Sequence, residues 1–225
     1  MIGTLVNAAA VIAGSLAGLL FNKKLPEKYV TPVFQAIGIF TLFLGLKMAF
    51  MTDHILLMVF SLVFGALTGT FLNIEKGMET LSLYLQRKTK SRHERFSEGL
   101  TTAFLLYCMG SMTILGAIEE GLGNPPNLLL TKSVMDGFSS VALASALGAG
   151  VLFSAIPLFL FQGGITLFAG FFEEYMTEML INELSAVGGI MLIGLGFSIL
   201  KIKKIQVLNL LPSLVYILIL VYFFG

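Results

Sequence analysis

The stretch "GAGVLFSAIPLFLFQGG", Gly148 to Gly164, decides the fold. It sits inside an apolar run, Val134–Phe172, which after Asp136 carries no further charge and is about twice the length a helix needs to cross a bilayer. Read as one helix, the run gives seven crossings; folded back on itself, it gives eight. Ser154 and Pro157 favour folding back, because serine caps orphan amides and proline suits the first helical turn. The prediction is two spans, Val134–Leu152 and Ile156–Phe172.

Composition explains why a membrane is the frame for this choice. Of 225 residues, 56% are hydrophobic and 12% charged, and the mean hydropathy is +0.92. A soluble domain carries about 25% charged residues to wet its surface. The remaining spans of roughly 20 apolar residues are Gly3–Phe21, Pro32–Phe50, Ile55–Asn73, Leu100–Ile118, Ser185–Leu200 and Val207–Phe224. The expected fold is therefore a single all-α integral membrane domain, residues 1–225, of about eight transmembrane helices. The N-terminus has no basic n-region and reads as a retained first span. The one cysteine, Cys108, excludes an internal disulfide framework.

Loop charge tests the count, because Lys and Arg collect in cytoplasmic loops. Lys23, Lys24 and Lys28 follow span one. Lys76, Arg87, Lys88, Lys90, Arg92 and Arg95 follow span three, and Lys201, Lys203 and Lys204 follow span seven. The intervening loops hold Asp53, then Glu119 and Glu120, then Glu173, Glu174, Glu178 and Glu183. Only Lys47 and Lys132 of the 14 bases fall outside the basic loops. The alternation needs eight spans and places both termini outside. Residues 75–97 read as a basic amphipathic helix on the inner surface, where bases meet anionic headgroups. Residues 173–184 read as a short acidic helix on the outer surface. The basic cluster needs no nucleic acid to explain it.

Ala17–Met48 echoes Ala169–Leu200, with Ala-x-Gly steps at Ala36–Gly38 and Ala186–Gly188. This is a candidate inverted repeat of spans one to three against six to eight, an arrangement that secondary transporters use. Gly14-x-x-x-Gly18 and Gly65-x-x-x-Gly69 suit close helix packing in lipid and a homodimer.

Charges inside hydrocarbon usually face partners or water-filled paths. Lys132 and Asp136 are spaced to pair on one helical face, at the outer rim of span five on this topology, and Asp136 is the one acid assigned to a span. Ser133, Gln162, Asn7 and Gln35 are the polar residues that complete a candidate ion or solute pathway. The bland account is that Lys132 reaches the interface, Asp136 satisfies it, and the polar side chains only join helices. Transport is favoured if Asp136 and Gln162 face a solvent-reachable cavity between spans five, six and one; if Asp136 is instead sealed against Lys132 with no cavity nearby, this transport site is wrong. His54 and His93 lie on opposite sides, so no paired metal site follows. No phosphate loop, zinc motif or hydrolase elbow is present, so neither a catalytic residue nor a cofactor is expected.

"LLYCMGSMTILGAIEEGL" (Leu105–Leu122), "LLLTKSVMDG" (Leu128–Gly137), "GAGVLFSAIPLFLFQGGITL" (Gly148–Leu167) and the opening "GTLVNAAAVIAGSLAG" resemble the bacterial YdfK/YqgA family of multipass inner-membrane proteins. The resemblance implies a bacterial plasma-membrane location and no mechanism. The functional expectation is a small secondary transporter or channel for an ion or small polar solute. The alternative is a non-transporting component of membrane assembly, interaction or stress response.

Overall fold

The computed structural model describes residues 1–22, 27–88, 95–171 and 177–224. All regular elements among them are helical: α1 Ile2–Asn22, α2 Glu27–Ala49, α3 Ile55–Phe71, α4 Ile74–Lys88, α5 Phe96–Cys108, α6 Ser111–Gly121, α7 Asn127–Leu147, α8 Gly150–Phe153, α9 Ala155–Leu167, α10 Glu178–Ile199 and α11 Ser213–Phe224. Among the described residues, four helical stretches are long and apolar enough to cross a membrane: Ile2–Leu20, Gly150–Leu167, Glu178–Ile199 and Val207–Phe224. The number reaches six if α3 with α4 and α5 with α6 each count as one bent span. α7 has the length, 21 residues, but Lys132, Asp136 and its serines make it more polar than these.

The chain divides into two compact units. Unit 1 is Met1–Val33 with Leu81–Glu173, and unit 2 is Phe34–Thr80 with Glu174–Gly225.

In unit 1, α1 runs alongside α7 in the same direction, and glycine permits the approach. A Cβ on Gly14 would overlap the Gly137 carbonyl oxygen, and one on Gly18 the Val141 carbonyl oxygen. At the start of both helices Gly3 meets Leu129 and Pro126. The α8–α9 stretch returns antiparallel to α1, with Gly163 beside Met1 and Thr4. α5 begins where α7 ends, Gly99 against Leu147 and Gly150 against Phe96, and α6 finishes beside Thr166 and Ala169. In unit 2, α2 and α10 cross antiparallel, Gly38 against Leu200 and Gly45 against Gly189. α3 and α11 do the same, Gly65 against Ser213 and Gly69 against Asn209.

The turn between the fifth and sixth expected spans is real but lies earlier in the chain. α7 stops at Leu147 because Gly148 adopts φ 78° and ψ −155°, a region open to glycine and hostile to side chains. Ser154 remains helical at φ −63° and ψ −19°, and its hydroxyl bonds back to the Val151 carbonyl at 2.7 Å instead of capping a new helix. The stretch Gly150–Leu167 is thus nearly continuous. α7 also starts seven residues before Val134, at Asn127, so the expected outer rim of the span is its interior.

Two surface segments also differ in extent. Of residues 75–97, α4 covers the first part, residues 89–94 lie outside the described residues, and Phe96 already opens α5. Of the expected helix at 173–184, residues 172–176 lie outside the described residues, and Glu178–Leu184 forms the first turns of α10. Thr177 caps that helix, its hydroxyl oxygen accepting from the Leu180 amide at 3.2 Å.

Candidate functional site

The site is built on α7. Asp136 is the tenth of its 21 residues, roughly 14 Å from the helix start at 1.5 Å per residue. At that depth the aspartate does not cap the start of the helix. The Lys132 ammonium donates to both Asp136 oxygens, at 2.8 and 2.7 Å. Lys132 is 6% exposed and Asp136 5%, so the pair is sealed from solvent. The Lys132 nitrogen also stands 5.9 Å from the centre of the buried Tyr107 ring on α5, in cation–π range. The Tyr107 hydroxyl shares a 2.8 Å hydrogen bond with Ser140, one turn further along α7.

From α1 the Asn7 carboxamide faces the Asp136 carboxylate. Its Nδ2 donates to Gln162 Oε1 of α9 at 3.0 Å. Both amides are fully buried, yet Asn7 Oδ1 and Gln162 Nε2 have no partner among the described residues. Buried polar atoms in folded proteins almost always find one, so one acceptor and one donor here are uncommitted.

The polar line continues toward the end of unit 1 that holds Met1. Thr166, one turn after Gln162, donates to the Gln162 carbonyl at 3.0 Å and meets the Thr4 hydroxyl at 3.3 Å. Thr4 donates to Glu120 at 3.0 Å. Glu120, at the end of α6, also accepts the backbone amides of Gly3 and Thr4 and pairs with the Met1 ammonium at 3.1 Å. A carboxylate there answers the orphan N–H groups and the positive end of α1.

Of the six candidates, four converge: Asn7, Lys132, Asp136 and Gln162. Ser133 does not join them, because its hydroxyl is committed to the Leu129 carbonyl at 2.6 Å. Gln35 belongs to unit 2, where its side chain is exposed. Sequence reasoning passed over Thr4, Thr166 and Glu120. Helical spacing offered the signal for two of them, since Thr4 with Asn7 and Gln162 with Thr166 are i, i+3 and i, i+4 neighbours. The exposure to a solvent-reachable cavity that would favour transport is not what the side chains show, for Asp136 and Gln162 are both closed in.

A family model described as "Protein of unknown function (DUF554)" matches residues 2–222. The chain belongs to the DUF554 family. It is 40% identical over 220 residues to "Uncharacterized membrane protein YdfK" of Bacillus subtilis (strain 168), covering 95% of this chain and 93% of that protein. To "Uncharacterized protein YqgA" of Escherichia coli (strain K12) it is 31% identical over 219 residues, again 95% and 93% of the two chains. No solved structure matches. The membrane assignment in the first relative's name agrees with the apolar helices of this DUF554 chain.

Proposed function

We propose that this DUF554 protein moves an ion or small polar solute across the bacterial plasma membrane through the interior of unit 1. The observation that carries the reading is the pair of uncommitted amide atoms, Asn7 Oδ1 and Gln162 Nε2, beside a buried ion pair halfway along α7. A polar cluster whose sole task was joining helices would gain by satisfying every member. Polar groups kept at this depth mark pathways in membrane proteins.

The helix directions support eight crossings. Unit 1 supplies α1, α5–α6, α7 and α8–α9; unit 2 supplies α2, α3, α10 and the stretch ending in α11. Parallel packing of α1 on α7 needs an odd number of crossings between them, and α2, α3 and α5–α6 are three. Charge within each unit supports the sidedness. Arg95 opens α5 at one end of unit 1, whereas Glu119 and Glu120 close α6 at the other, next to Met1. In unit 2, Lys76, Lys201, Lys203 and Lys204 oppose Asp53, Glu178 and Glu183. The positive-inside rule then puts both termini outside. The α2–α10 crossing supports the inverted repeat of spans one to three against six to eight. Gly38 against Gly196 and Gly45 against Gly189 are the contacts a two-fold axis between the helices generates.

The sealed Lys132–Asp136 pair favours a second reading, a non-transporting membrane component in which the cluster fixes helix register. Proteoliposomes loaded with purified protein separate the two. The probes are labelled sodium, rubidium, glycine and glycerol, with Asp136→Asn beside the native chain. Transport gives flux of at least one probe above empty liposomes, lost in the variant; equal flux in both removes the carboxylate from the mechanism.

A further inference from the structure

We propose that the Lys132–Asp136 cluster binds a small zwitterion, a molecule carrying one ammonium and one carboxylate, such as a free amino acid. The proposal rests on the transport reading and names the substrate class of that site. Three observations converge on it.

The first is charge. At mid-depth of α7 the cluster holds one cation and one anion. The ionisable groups on the elements packed against α7 are Glu98, Tyr107 and Cys108 of α5, Glu119 and Glu120 at the end of α6, and the Met1 ammonium at the start of α1; Glu98 sits in the first turn of α5, beside the far end of α7. Tyr107 is bonded to Ser140, Cys108 is fully buried, and Glu120 is committed to the start of α1. A lone cation or anion would leave a net charge in a region where charge is costly, whereas a zwitterion leaves the sum at zero.

The second is the character of the uncommitted atoms. Asn7 Oδ1 is an acceptor and Gln162 Nε2 a donor, both fully buried; Asn7 faces Asp136, and Gln162 is joined to Asn7. An ammonium can take Asp136 and Asn7 Oδ1 together, and a carboxylate can take Lys132 and Gln162 Nε2. A metal cation would use only the first half of this set. Among the described residues no three of His, Cys, Asp and Glu converge to hold one.

The third is the intramolecular pair itself. Lys132 and Asp136 already make the contact that such a ligand would make with each of them, bidentate at 2.7 and 2.8 Å. The side-chain pair occupies the ligand's place, and a zwitterion exchanges two like contacts for the one it opens. No covalent step is involved.

The test uses the full-length protein in proteoliposomes and labelled glycine as the probe, with methylammonium, acetate and sodium alongside. Glycine uptake should saturate, and unlabelled alanine should compete with it. Methylammonium and acetate, each bearing half of the charge pattern, should compete at least tenfold more weakly. Lys132→Gln leaves a net negative site and should turn preference from glycine to methylammonium. Asn7→Ala and Gln162→Ala, which spare the ion pair, should each raise the glycine KM about tenfold, as expected for a hydrogen bond to a charged group. If sodium or a lone ion is carried and depends on Asp136 while glycine is not, the zwitterion proposal is overturned and the transport reading stands. Absence of flux for these four probes and for rubidium and glycerol overturns both. Glycine uptake unchanged by Asn7→Ala, Gln162→Ala and Lys132→Gln would also overturn this site.

Discussion

Lys132 grips both carboxylate oxygens of Asp136 from one helical turn away, and both residues are buried within α7. Desolvation of two charges is costly, and their attraction offsets it only while both remain. Removing one partner of such a pair costs about 3–5 kcal/mol, whereas an apolar replacement of both is often neutral. Asp136→Asn should therefore lower the thermal unfolding midpoint in detergent, and Lys132→Met with Asp136→Leu should restore most of it. A double variant as unstable as the single one would show that the pair holds more than itself.

Glu183 in unit 2 plays the part that Glu120 plays in unit 1. Its carboxylate accepts from the Thr52 hydroxyl at 2.6 Å and from the Asp53 and His54 amides at 3.0 and 3.1 Å, and it meets His54 Nδ1 at 3.3 Å. It thereby covers the start of α3 from α10. Glu183→Ala should cost about 1–3 kcal/mol by leaving those donors unsatisfied. Hydrogen exchange is the readout: amides of Ile55–Met58 should exchange faster, while those in the second half of α10 should not.

Glycines here divide into two kinds that one substitution tells apart. A Cβ on Gly69 would overlap the Asn209 carbonyl oxygen, while around Gly77 nothing lies within 4 Å. Gly69→Ala should destabilise by about 1–3 kcal/mol through overpacking. Gly77→Ala, in an open helical position of α4, should stabilise by about 0.5–1 kcal/mol. Unfolding midpoints moving the same way for both would contradict the packing described.

On α4, burial raises the pKa of Glu75 above 4.5 despite the Leu208 amide hydrogen bond and Lys204, which pull it down; Glu79 adds to the rise. The folded pKa exceeds the unfolded one, so the folded state favours the protonated acid. This stability is fully present below the unfolded value and is lost as pH rises through the folded value. Glu75→Gln keeps an acceptor for Leu208 and removes the charge. Its unfolding midpoint should exceed that of the native chain at pH 7, with the difference shrinking below about pH 4.5.

Sidedness gives the fourth readout besides stability, exchange and pH. If the proposed orientation holds, a fluorescent reporter that matures only in the cytoplasm should stay dark when fused after Gly225. A bright fusion would reverse the orientation.

Hydropathy and loop charge are local properties: the apolar helical character, four to six of the candidate spans, the fold-back before Gly164 and the Lys132–Asp136 pairing all follow from neighbours in sequence. The site of the fold-back was misjudged because Ser154 and Pro157 resemble a helix start, while the actual break needs the left-handed φ of Gly148. Glu120 and Glu183 looked like loop acids. Their partners, the helix starts at Gly3 and His54, lie 117 and 129 residues away and leave no local mark. Asn7 and Gln162 stood out singly as polar residues in apolar helices, but nothing in either helix announces the other.

That Asn7–Gln162 contact also has a consequence in time. Its two ends are 155 residues apart, and a ribosome adds about 5–20 residues per second. The α1 helix therefore exists for about 8–30 s before its α9 partner has been made. Throughout that interval the amide of Asn7 must find water, lipid headgroup or an insertion factor for company. A translation pause after α7, when Asp136 is already in place, would shorten the exposure that matters, because the first permanent neighbour of Asn7 is the carboxylate and not the glutamine.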